Sequence, residues 1–436
     1  MIAGDLMKLS ACYIAKNEEK NIARSISSLG RQVAEIIVVD TGSTDSTVAV
    51  AENLGARVYR YKWQDDFAAA RNFALSKARG DYLVLLDADE YFTQDTAKNI
   101  FSAVMTFGDA DGLLVQLVNY DLDRQEIMDY FYQLRLVKNQ PGIRYEGAIH
   151  EELAWPEGKK PVIRRLDPEL LEIYHTGYSS SVSRQKLERN LYLLQNEISR
   201  GRTELELSRY LCECYLGLDD MEKCLHYGWM YINQGRRPVS FAARCHRILL
   251  AYYAGHDDEE SIEKRYNLAK LSTEQFPEVP DFWAEYGECL AARKMYGKAS
   301  LAMDKAALLL RDYHGMEPSM LKKNHLEQAV KERGRKFRAL AVAFEAYASG
   351  SKALGEGNLS LAAELFFAGI QEYRHHRGLL QGLYRCLMGN DLVDIIELFN
   401  SIYDREDGGF VARALDGIAD ARLIAYYARR GPNKKA

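Results

Sequence analysis

The spacing of apolar residues changes near residue 185, and this change constrains the fold more than any other feature of the sequence. Before it, short β-rich runs alternate with helical segments, as where "EIIVVD" (35–40) precedes "STDSTVAVAENLG" (43–55). After it, the β-rich runs vanish and nearly all of the chain has helical spacing. Alternating strands and helices are typical of a mostly parallel sheet covered by helices. The sequence therefore predicts an α/β domain over 1–185, followed by an all-α region.

The expected elements of the first part follow from runs of apolar residues, N-cap residues and terminating glycines. The predicted strands are 8–15, 35–40, 57–62, 82–87, 112–119, 129–138 and 170–175, and the predicted helices are 17–29, 43–55 and 67–79.

The helical part carries a degenerate repeat. Small and large residues recur at the spacing of tetratricopeptide helix pairs, small ones where two helices approach closely and large ones in the next layer. We place the repeat over 186–340 and a further helical region, either more repeats or a dimerisation element, over 341–436. A generic helical bundle is the alternative. The repeat positions are Leu211, Tyr215, Cys224, Tyr231, Trp283, Tyr286, Gly287, Leu290, Ala299, Met303, Ala306, Gly350, Ala353, Gly357, Ala362, Phe366 and Gly369.

Composition excludes several classes of function. The net charge of −5 disfavours a nucleic-acid or anionic-membrane binder, which would carry a basic excess. No apolar run approaches the roughly 20 residues that span a bilayer, and the start lacks the pattern of a secretory signal. The seven cysteines mostly lie within helical apolar patterns, as expected of reduced thiols in a cytoplasmic protein. We therefore expect a cytoplasmic protein without a membrane span or a nucleic-acid partner.

The apolar strand "YLVLL" ends in "DADE", which raises the question of what its carboxylates do. On an extended strand end, Asp87 and Asp89 would project to the same side. Asp40 ends another strand at the same sheet edge, Glu18 or Glu19 follows the first strand, and Arg71 precedes "DAD" on a short helix. A divalent cation carrying phosphate oxygens would offset such charges, and a guanidinium suits a diphosphate or a nucleobase carbonyl. A solvated turn is the alternative for Asp-X-Asp alone.

The ordered motifs "YIAKNEEKNI", "EIIVVDTGSTDST", "DDFAAARNFAL" and "GDYLVLLDADEYF" resemble family 2 glycosyltransferases over residues 8–180. The resemblance implies the GT-A fold, a Rossmann-like, mostly parallel sheet, and a nucleotide-diphospho-sugar donor. It implies that the backbone of Tyr13–Ala15, together with Asp40, holds the nucleobase. The full set of donor-binding residues that it implies is Tyr13, Ala15, Glu18, Asp40, Arg71, Asp87 and Ala88. The implied ligands for Mg²⁺ or Mn²⁺ are Asp89, His175 and Asp87, with Asp87 also facing the ribose.

A second polar cluster, "RYEGAIHEEL" (144–153), lies where enzymes of this family receive the acceptor. Inverting transfer needs a general base opposite the departing diphosphate. Glu151 is the first candidate for this base and His150 the second. The alternative is that both residues only order a loop.

The combination of these motifs with "YHTGY" and tetratricopeptide-like helices is similar to the peptide S-glycosyltransferases of glycocin bacteriocins, the sublancin-type enzymes. That similarity implies a peptide or protein acceptor modified on Cys or Ser/Thr, a UDP-sugar donor, and helices that bind the peptide and form a homodimer. Two alternatives stay open: a lipopolysaccharide-core or lipid-linked sugar acceptor, and a non-catalytic scaffold. The Gln-X-X-Arg-Trp motif of processive synthases is not matched by "QLRLVK" (133–138).

Overall fold

The computed structural model describes residues 7–176, 184–237 and 241–430. Its strands are β1 Leu9–Ala15, β2 Glu35–Asp40, β3 Arg57–Arg60, β4 Tyr82–Leu85, β5 Glu90–Phe92, β6 Gly112–Asp121, β7 Glu126–Lys138, β8 Arg144–Glu146, β9 Glu152–Ala154, β10 Ile163–Arg165 and β11 Glu172–His175. The helices of the first part are α1 Ile22–Ser28, α2 Thr47–Asn53, α3 Phe67–Leu75, α4 Gln94–Ala97 and α5 Ile100–Thr106.

The helices beyond residue 183 run to the end of the described chain. They are α6 Arg184–Ser199, α7 Glu204–Gly217, α8 Met221–Ile232, α9 Arg244–Ala254, α10 Glu259–Gln275, α11 Pro280–Ala292, α12 Tyr296–Arg311, α13 Met320–Lys323, α14 Glu327–Gly355, α15 Leu359–Glu372, α16 Arg377–Leu387, α17 Leu392–Ile402, α18 Gly408–Leu415 and α19 Ala421–Ala428.

Nine of the strands form one sheet in the order β3-β2-β1-β4-β7-β6-β11-β5, with β10 also paired to β6. β1 lies between β2 and β4 and pairs parallel with both, whereas β7 is antiparallel to β4 and β6. The carboxyl ends of β1, β2 and β4 therefore share one edge. The predicted α/β fold is confirmed. The prediction was a mostly parallel sheet, and the observed sheet is mixed, because β7 and β5 pair antiparallel with their neighbours.

Both faces of this sheet are covered, which explains why its strands are apolar without alternation. On one face, Tyr13 and Val84 join a core cluster with residues of α1, α2 and α5. On the other face, Val39 and Leu85 pack with Ala74 of α3. Each predicted strand of the first half is present within a few residues, while the three-residue strands β5, β8, β9 and β10 were not predicted.

The helical part consists of antiparallel pairs whose contacts place small residues where the repeat predicted them. In the pair α11/α12, a Cβ added to Gly287 would lie 3.1 Å from Cε of Met303. In the pair α14/α15, a Cβ added to Gly350 would lie 2.8 Å from the ring of Phe366. The predicted tetratricopeptide-like packing is confirmed.

Packing divides the described residues into two compact units. The first takes in residues up to Ser261 together with His314–Met320, and the second takes in Ile262–Tyr313 and the residues from Leu321 onwards. The change from strands to helices falls near residue 185 as predicted, but the first helices, α6 to α9, belong to the same unit as the sheet. The three domains 1–185, 186–340 and 341–436 stay a prediction.

Two composition-based expectations can be compared with the structure. All seven cysteines carry free thiols, and six of them are buried. Within the described residues, every helix is too short or too polar to cross a lipid bilayer.

Candidate active site

Two loops at the carboxyl edge of the sheet are tied to each other. The backbone N–H of Asn17, after β1, donates to Oγ of Ser43 at 2.9 Å, and the N–H of Thr44, after β2, donates to Oδ1 of Asn17 at 2.8 Å. The N–H of Glu18 donates to Oγ1 of Thr47 at 2.7 Å. Asn17 has a φ of +58°, a left-handed conformation that asparagine tolerates better than most residues. These hydrogen bonds hold the loops after β1 and β2 together at the sheet edge where the donor is expected.

Asp40 lies at this edge, as predicted, with its Oδ1 accepting a hydrogen bond from the N–H of Ser43 at 3.0 Å. Tyr13 has its ring in the core, where its hydroxyl oxygen accepts a hydrogen bond from Oγ of Ser25 at 3.1 Å. A nucleobase can therefore meet only the main chain of Tyr13, which is the contact the resemblance implied.

Ala15 and Ala88 are also core residues, so each can offer only main-chain atoms to a ligand. Glu18 is half-buried, and its Oε2 accepts from Nδ2 of Asn21 at 2.9 Å. Burial raises the pKa of Glu18, and the neighbouring Asp89 raises it further, against the hydrogen bond from Asn21, which lowers it. Glu18 thus lies close to the "DAD" carboxylates.

Asp87 and Asp89 do not lie on the extended strand end from which they were expected to project. β4 ends at Leu85, and the N–H of Glu90 donates to the carbonyl of Asp87 at 3.0 Å, which closes a tight turn over 87–90. In a turn the alternation of an extended strand no longer holds. The two carboxylates consequently face different partners.

Arg71 joins two carboxylates that are far apart in sequence. Its Nη2 donates to Oδ1 of Asp87 at 2.7 Å, and its Nε donates to Oε1 of Glu151 at 2.5 Å. The Arg71 side chain is 14% exposed, and its guanidinium lies 5.5 Å from the centre of the Tyr145 ring. Burial alone would lower the pKa of Arg71, but Asp87 and Glu151 raise it well above the usual value. The guanidinium links the donor side of the edge to the acceptor side.

Arg135, on β7, is a site residue that the sequence analysis missed. Its Nη2 donates to Oε1 of Glu90 at 2.5 Å and lies 3.5 Å from Oδ2 of Asp87, and both members of the Arg135–Glu90 pair are almost fully buried. Burial would raise the pKa of Asp87, but Arg71 and Arg135 hold it well below its usual range. An arginine inside the apolar strand "LRLV" was the signal that could have identified it.

Asp89 pairs instead with His175, at the end of β11, with 3.3 Å between Oδ2 and Nε2. Nδ1 of His175 lies 2.8 Å from Oδ1 of Asn119, whose amide nitrogen donates to Asp129. Nδ1 must therefore be the protonated donor, which in the neutral ring leaves the lone pair of Nε2 towards Asp89. The N–H of Thr176 donates to the carbonyl of Asp89 at 3.1 Å and holds the turn against β11. Burial lowers the pKa of His175, but the hydrogen bond with Asp89 and the negative charges of Asp89, Glu90 and Asp87 together raise it above the usual value.

The Asp89–His175 pair suits a divalent cation. A carboxylate and an imidazole oriented by a second hydrogen bond are ordinary ligands of such an ion. Among the described residues, however, no three His, Cys, Asp or Glu side chains are gathered so that they could hold a metal. Asp87, the third predicted ligand, is engaged by Arg71 and Arg135 instead. The structure therefore brings together two of the three predicted ligands, and the other positions around an ion would fall to water and donor phosphate oxygens.

The loop that carries Glu151 is docked on α3. Nδ2 of Asn72 donates to the carbonyl of Tyr145 at 2.9 Å, and the N–H of Tyr145 donates back to Oδ1 of Asn72 at 2.7 Å. The N–H of Phe67 donates to the carbonyl of Ala148 at 2.8 Å. Because Arg71 lies on the same helix, this docking places Glu151 beside it.

The structure argues against His150 as the base. Its backbone has a φ of +52°, and its ring stacks on Tyr210 of α7 with 3.8 Å between centroids. Burial lowers the pKa of His150 to about 3, with Arg209 and Arg202 contributing. Such an imidazole is a poor proton acceptor. In the "YHTGY" motif, the residues after Thr176 lie outside the described part of the chain.

Residues 10–151 match the family model Glycosyl transferase family 2, the family that the motifs of this stretch resemble. The fold of this stretch is GT-A-like, and the predicted combination of such a domain with tetratricopeptide-like helices is confirmed.

Two curated relatives extend beyond the domain. The chain is 35% identical over 254 residues to a TPR repeat-containing protein of Synechococcus elongatus, a match covering 53% of this chain and 57% of the relative. It is 25% identical over 245 residues to the SPbeta prophage-derived glycosyltransferase SunS of Bacillus subtilis, covering 53% of this chain and 55% of the relative. The chain thus spans about half the length of these relatives.

Among solved structures, a similar chain is glucosyl-3-phosphoglycerate synthase from Mycobacterium tuberculosis, in complex with Mn²⁺, UDP and glucosyl-3-phosphoglycerate. It is 26% identical with a TM-score of 0.22, and the match covers 27% of this chain and 46% of that one.

Proposed function

We propose that the protein is a metal-dependent, inverting glycosyltransferase that moves a sugar from a UDP-sugar to a Cys or Ser/Thr side chain of a peptide or protein. The observation that carries this proposal is the chain of contacts from Asp87 through Arg71 to Glu151, beside the Asp89–His175 pair. The match to the family 2 model and the glycosyltransferase SunS among the relatives support it.

The donor would lie along the edge formed by β1, β2 and β4. Asp40 and the main chain of Tyr13–Ala15 would contact the nucleobase, and the tied loops after β1 and β2 would keep them in place. Glu18 and Ala88 would line the same cleft. Because these groups are already hydrogen-bonded or packed, little ordering would oppose donor binding.

Asp89 and His175 would hold the Mg²⁺ or Mn²⁺ ion. When bound, the ion would offset the charge that develops on the departing diphosphate. Asn119 would serve this site by keeping the Nε2 lone pair of His175 towards Asp89.

Arg71 would exchange partners during the reaction. Asp87 keeps Arg135 as a second cation, so it stays compensated when Arg71 turns to the diphosphate. Glu151 is paired with Arg71, and releasing that pair would leave its carboxylate oxygens open to a hydrogen bond from the acceptor. Donor binding would thereby prepare Glu151 to accept the proton of the acceptor in a single in-line displacement. A thiol acceptor would depend less on this base, because its pKa of about 8.5 already gives some thiolate.

The tetratricopeptide-like helices would dock the acceptor, as stacked helix pairs do for peptides. The same proposal includes a cytoplasmic location and a homodimer. The free thiols of the seven cysteines support the cytoplasmic location.

The test is a screen by mass spectrometry. The purified chain is incubated with Mn²⁺ or Mg²⁺, a panel of UDP-, GDP- and dTDP-sugars, and peptide libraries containing one Cys or one Ser. Metal-dependent UDP release together with a hexose mass on peptide would support the proposal. Transfer only to lipid-linked or lipopolysaccharide-core sugars would replace the acceptor class, and absence of donor binding and turnover would favour a scaffold.

A further inference from the structure

A cavity of about 200 Å³ lies within the first unit, away from the donor edge. It is formed by β9, which follows the loop that carries Glu151, by α7 and α8, and by the chain just before α7 and just after α8. Its lining residues are Glu152, Arg202, Glu206, Arg209, Tyr210, Tyr231 and Arg237.

The inner wall of the cavity is rich in hydrogen-bond donors. Arg202, Arg209 and Arg237 are half-buried, and each guanidinium can only donate. Among the described residues, Arg209 pairs with Glu213 at 3.2 Å and Arg202 pairs with Glu197 at 3.4 Å, and neither of these carboxylates lines the cavity. Three guanidinium groups in one wall suit a ligand that supplies acceptor oxygens.

Tyr231 is a second, independent sign of a missing ligand. The residue is 2% exposed, and its hydroxyl has no hydrogen-bond partner within the described part of the chain. Buried hydroxyls in native proteins are nearly always hydrogen-bonded. A buried phenol without a partner in the wall of a polar cavity indicates that the partner belongs to a ligand.

The two acidic lining residues, Glu152 and Glu206, are exposed and lie at the rim. Glu206 is held there because its Oε2 accepts from the N–H of Thr203, in the capping box of α7. Acidic residues at the entrance disfavour a doubly charged phosphate more than a singly charged group, since repulsion grows with ligand charge.

One residue in the wall of the cavity contacts the loop of the candidate active site. Tyr210, which lines the cavity, stacks on His150 at 3.8 Å, and His150 directly precedes Glu151 in the chain. A group bound in the cavity would therefore lie on the acceptor side of the site.

We propose that this cavity binds a single carboxylate of the acceptor peptide, either an acidic side chain or the C-terminal carboxylate, with guanidinium groups and the Tyr231 hydroxyl as donors. The inference rests on the proposed function, because it assigns the carboxylate to a peptide acceptor. It adds to that function a requirement for an acidic group at a fixed distance from the modified residue.

The experiment uses three short probes and the full chain. Two are tripeptides blocked at both ends, with a central glutamate or a central glutamine, and the third is N-acetylated triglycine with a free C-terminal carboxylate. Dissociation constants are measured by ligand-observed NMR at fixed ionic strength. We expect the glutamate or the free-carboxylate probe to bind about tenfold more tightly than the glutamine probe, since charge-assisted hydrogen bonds are about twice as strong as neutral ones. The tighter of the two carboxylate probes identifies the source of the group.

Variants locate the binding. Arg237→Gln should abolish the preference for carboxylate. Tyr231→Phe should weaken carboxylate binding severalfold without lowering the melting temperature, because the lost hydroxyl has no hydrogen-bond partner among the described residues. Tyr227→Phe is the matched control on α8, since its hydroxyl bonds to Glu204 and does not line the cavity.

The inference would be overturned if neither the glutamate probe nor the free-carboxylate probe bound more tightly than the glutamine probe. A carboxylate preference that survives in both Arg237→Gln and Tyr231→Phe would also overturn it. UDP release by the wild-type chain is recorded separately. Its absence would contradict the proposed function, whereas its presence with no carboxylate preference would contradict only this inference.

Discussion

Replacing Arg71 with lysine tests the contact that joins the two sides of the candidate site. The guanidinium donates from two different nitrogens, to Asp87 at 2.7 Å and to Glu151 at 2.5 Å. Lysine keeps the charge but concentrates its donors at one point, so it can satisfy one carboxylate and not both in this geometry. We expect a folded protein with impaired sugar transfer.

The size of the effect follows from the hydrogen bonds that the Arg71 guanidinium would donate to the departing diphosphate after it exchanges partners. One hydrogen bond to a charged group is worth about 1.5–3 kcal/mol, and about 1.36 kcal/mol corresponds to a factor of ten in rate. Arg71→Lys should therefore slow donor turnover by about 10- to 150-fold. Arg71→Gln, which removes both bonds and the charge, should slow it by about 10²- to 10⁴-fold on the same basis.

The assay is UDP release under single-turnover conditions at saturating metal. Arg57→Lys is the matched control, because Arg57, on β3 of the same sheet, pairs with Glu35 of β2 and has a side chain that is 45% exposed. A surface pair of this kind should change the rate by less than about twofold. If Arg71→Lys keeps its melting temperature and turns over within threefold of the wild type, the bridging role of Arg71 is refuted.

Three further substitutions have distinct signatures. Glu151→Gln should reduce transfer to a serine peptide by about 10²–10⁴-fold while affecting a cysteine peptide much less, measured by mass spectrometry of both products. His150→Asn should remove an acid-sensitive contribution to the free energy of unfolding. The pKa of His150 is about 3 in the folded protein and 6.5 in the unfolded chain. The contribution is therefore complete above pH 6.5 and is lost as the pH falls, by about 2 kcal/mol at pH 5. His175→Gln should weaken Mn²⁺ binding in calorimetry and flatten its pH dependence, because the raised pKa of His175 means that the ion displaces a proton.

The contradicting results differ for each. Equal loss for serine and cysteine peptides would make Glu151 a structural residue, and Glu146→Gln, in an exposed pair with Arg144, is its control. If wild-type and His150→Asn proteins lose the same free energy of unfolding between pH 7.5 and pH 5, the claim that His150 stays neutral in the folded protein is refuted. An unchanged Mn²⁺ affinity in His175→Gln would remove His175 from the metal site.

Most strands of the sheet could be predicted from the sequence, because they are buried on both faces. "EIIVVD" and "YLVLL" must be apolar throughout to pack against helices on either side, so their positions were predictable within a few residues. Strands of three residues, such as β5 and β8, show no periodicity and could be found only through their partners. The first helices pack in one unit with the sheet, although their sequence spacing matches that of the later repeats.

The candidate site was predictable in its membership more than in its contacts. Asp40, Arg71 and Asp89 all lie at the expected edge, but the turn after β4 sends Asp87 to two guanidiniums, and only backbone geometry decides this. Arg135 was missed because the role of a charged residue within a strand cannot be inferred until its buried ion-pair partners are known. His150 looked like a base because it precedes Glu151, yet its left-handed backbone turns the ring onto Tyr210.

The most direct test of the central claim is the dependence of UDP release on metal and on Asp89. The wild-type chain, Asp89→Asn and the exposed control Asp95→Asn are each given a UDP-sugar panel with Mn²⁺ and then with a chelator. The expected result is release by the wild type and the control, abolished by chelator and reduced at least about 10²-fold in Asp89→Asn, as removal of a group that stabilises developing charge commonly costs that much. Release that persists in chelator, or in Asp89→Asn at the wild-type rate, would contradict a metal-dependent glycosyl transfer at this site.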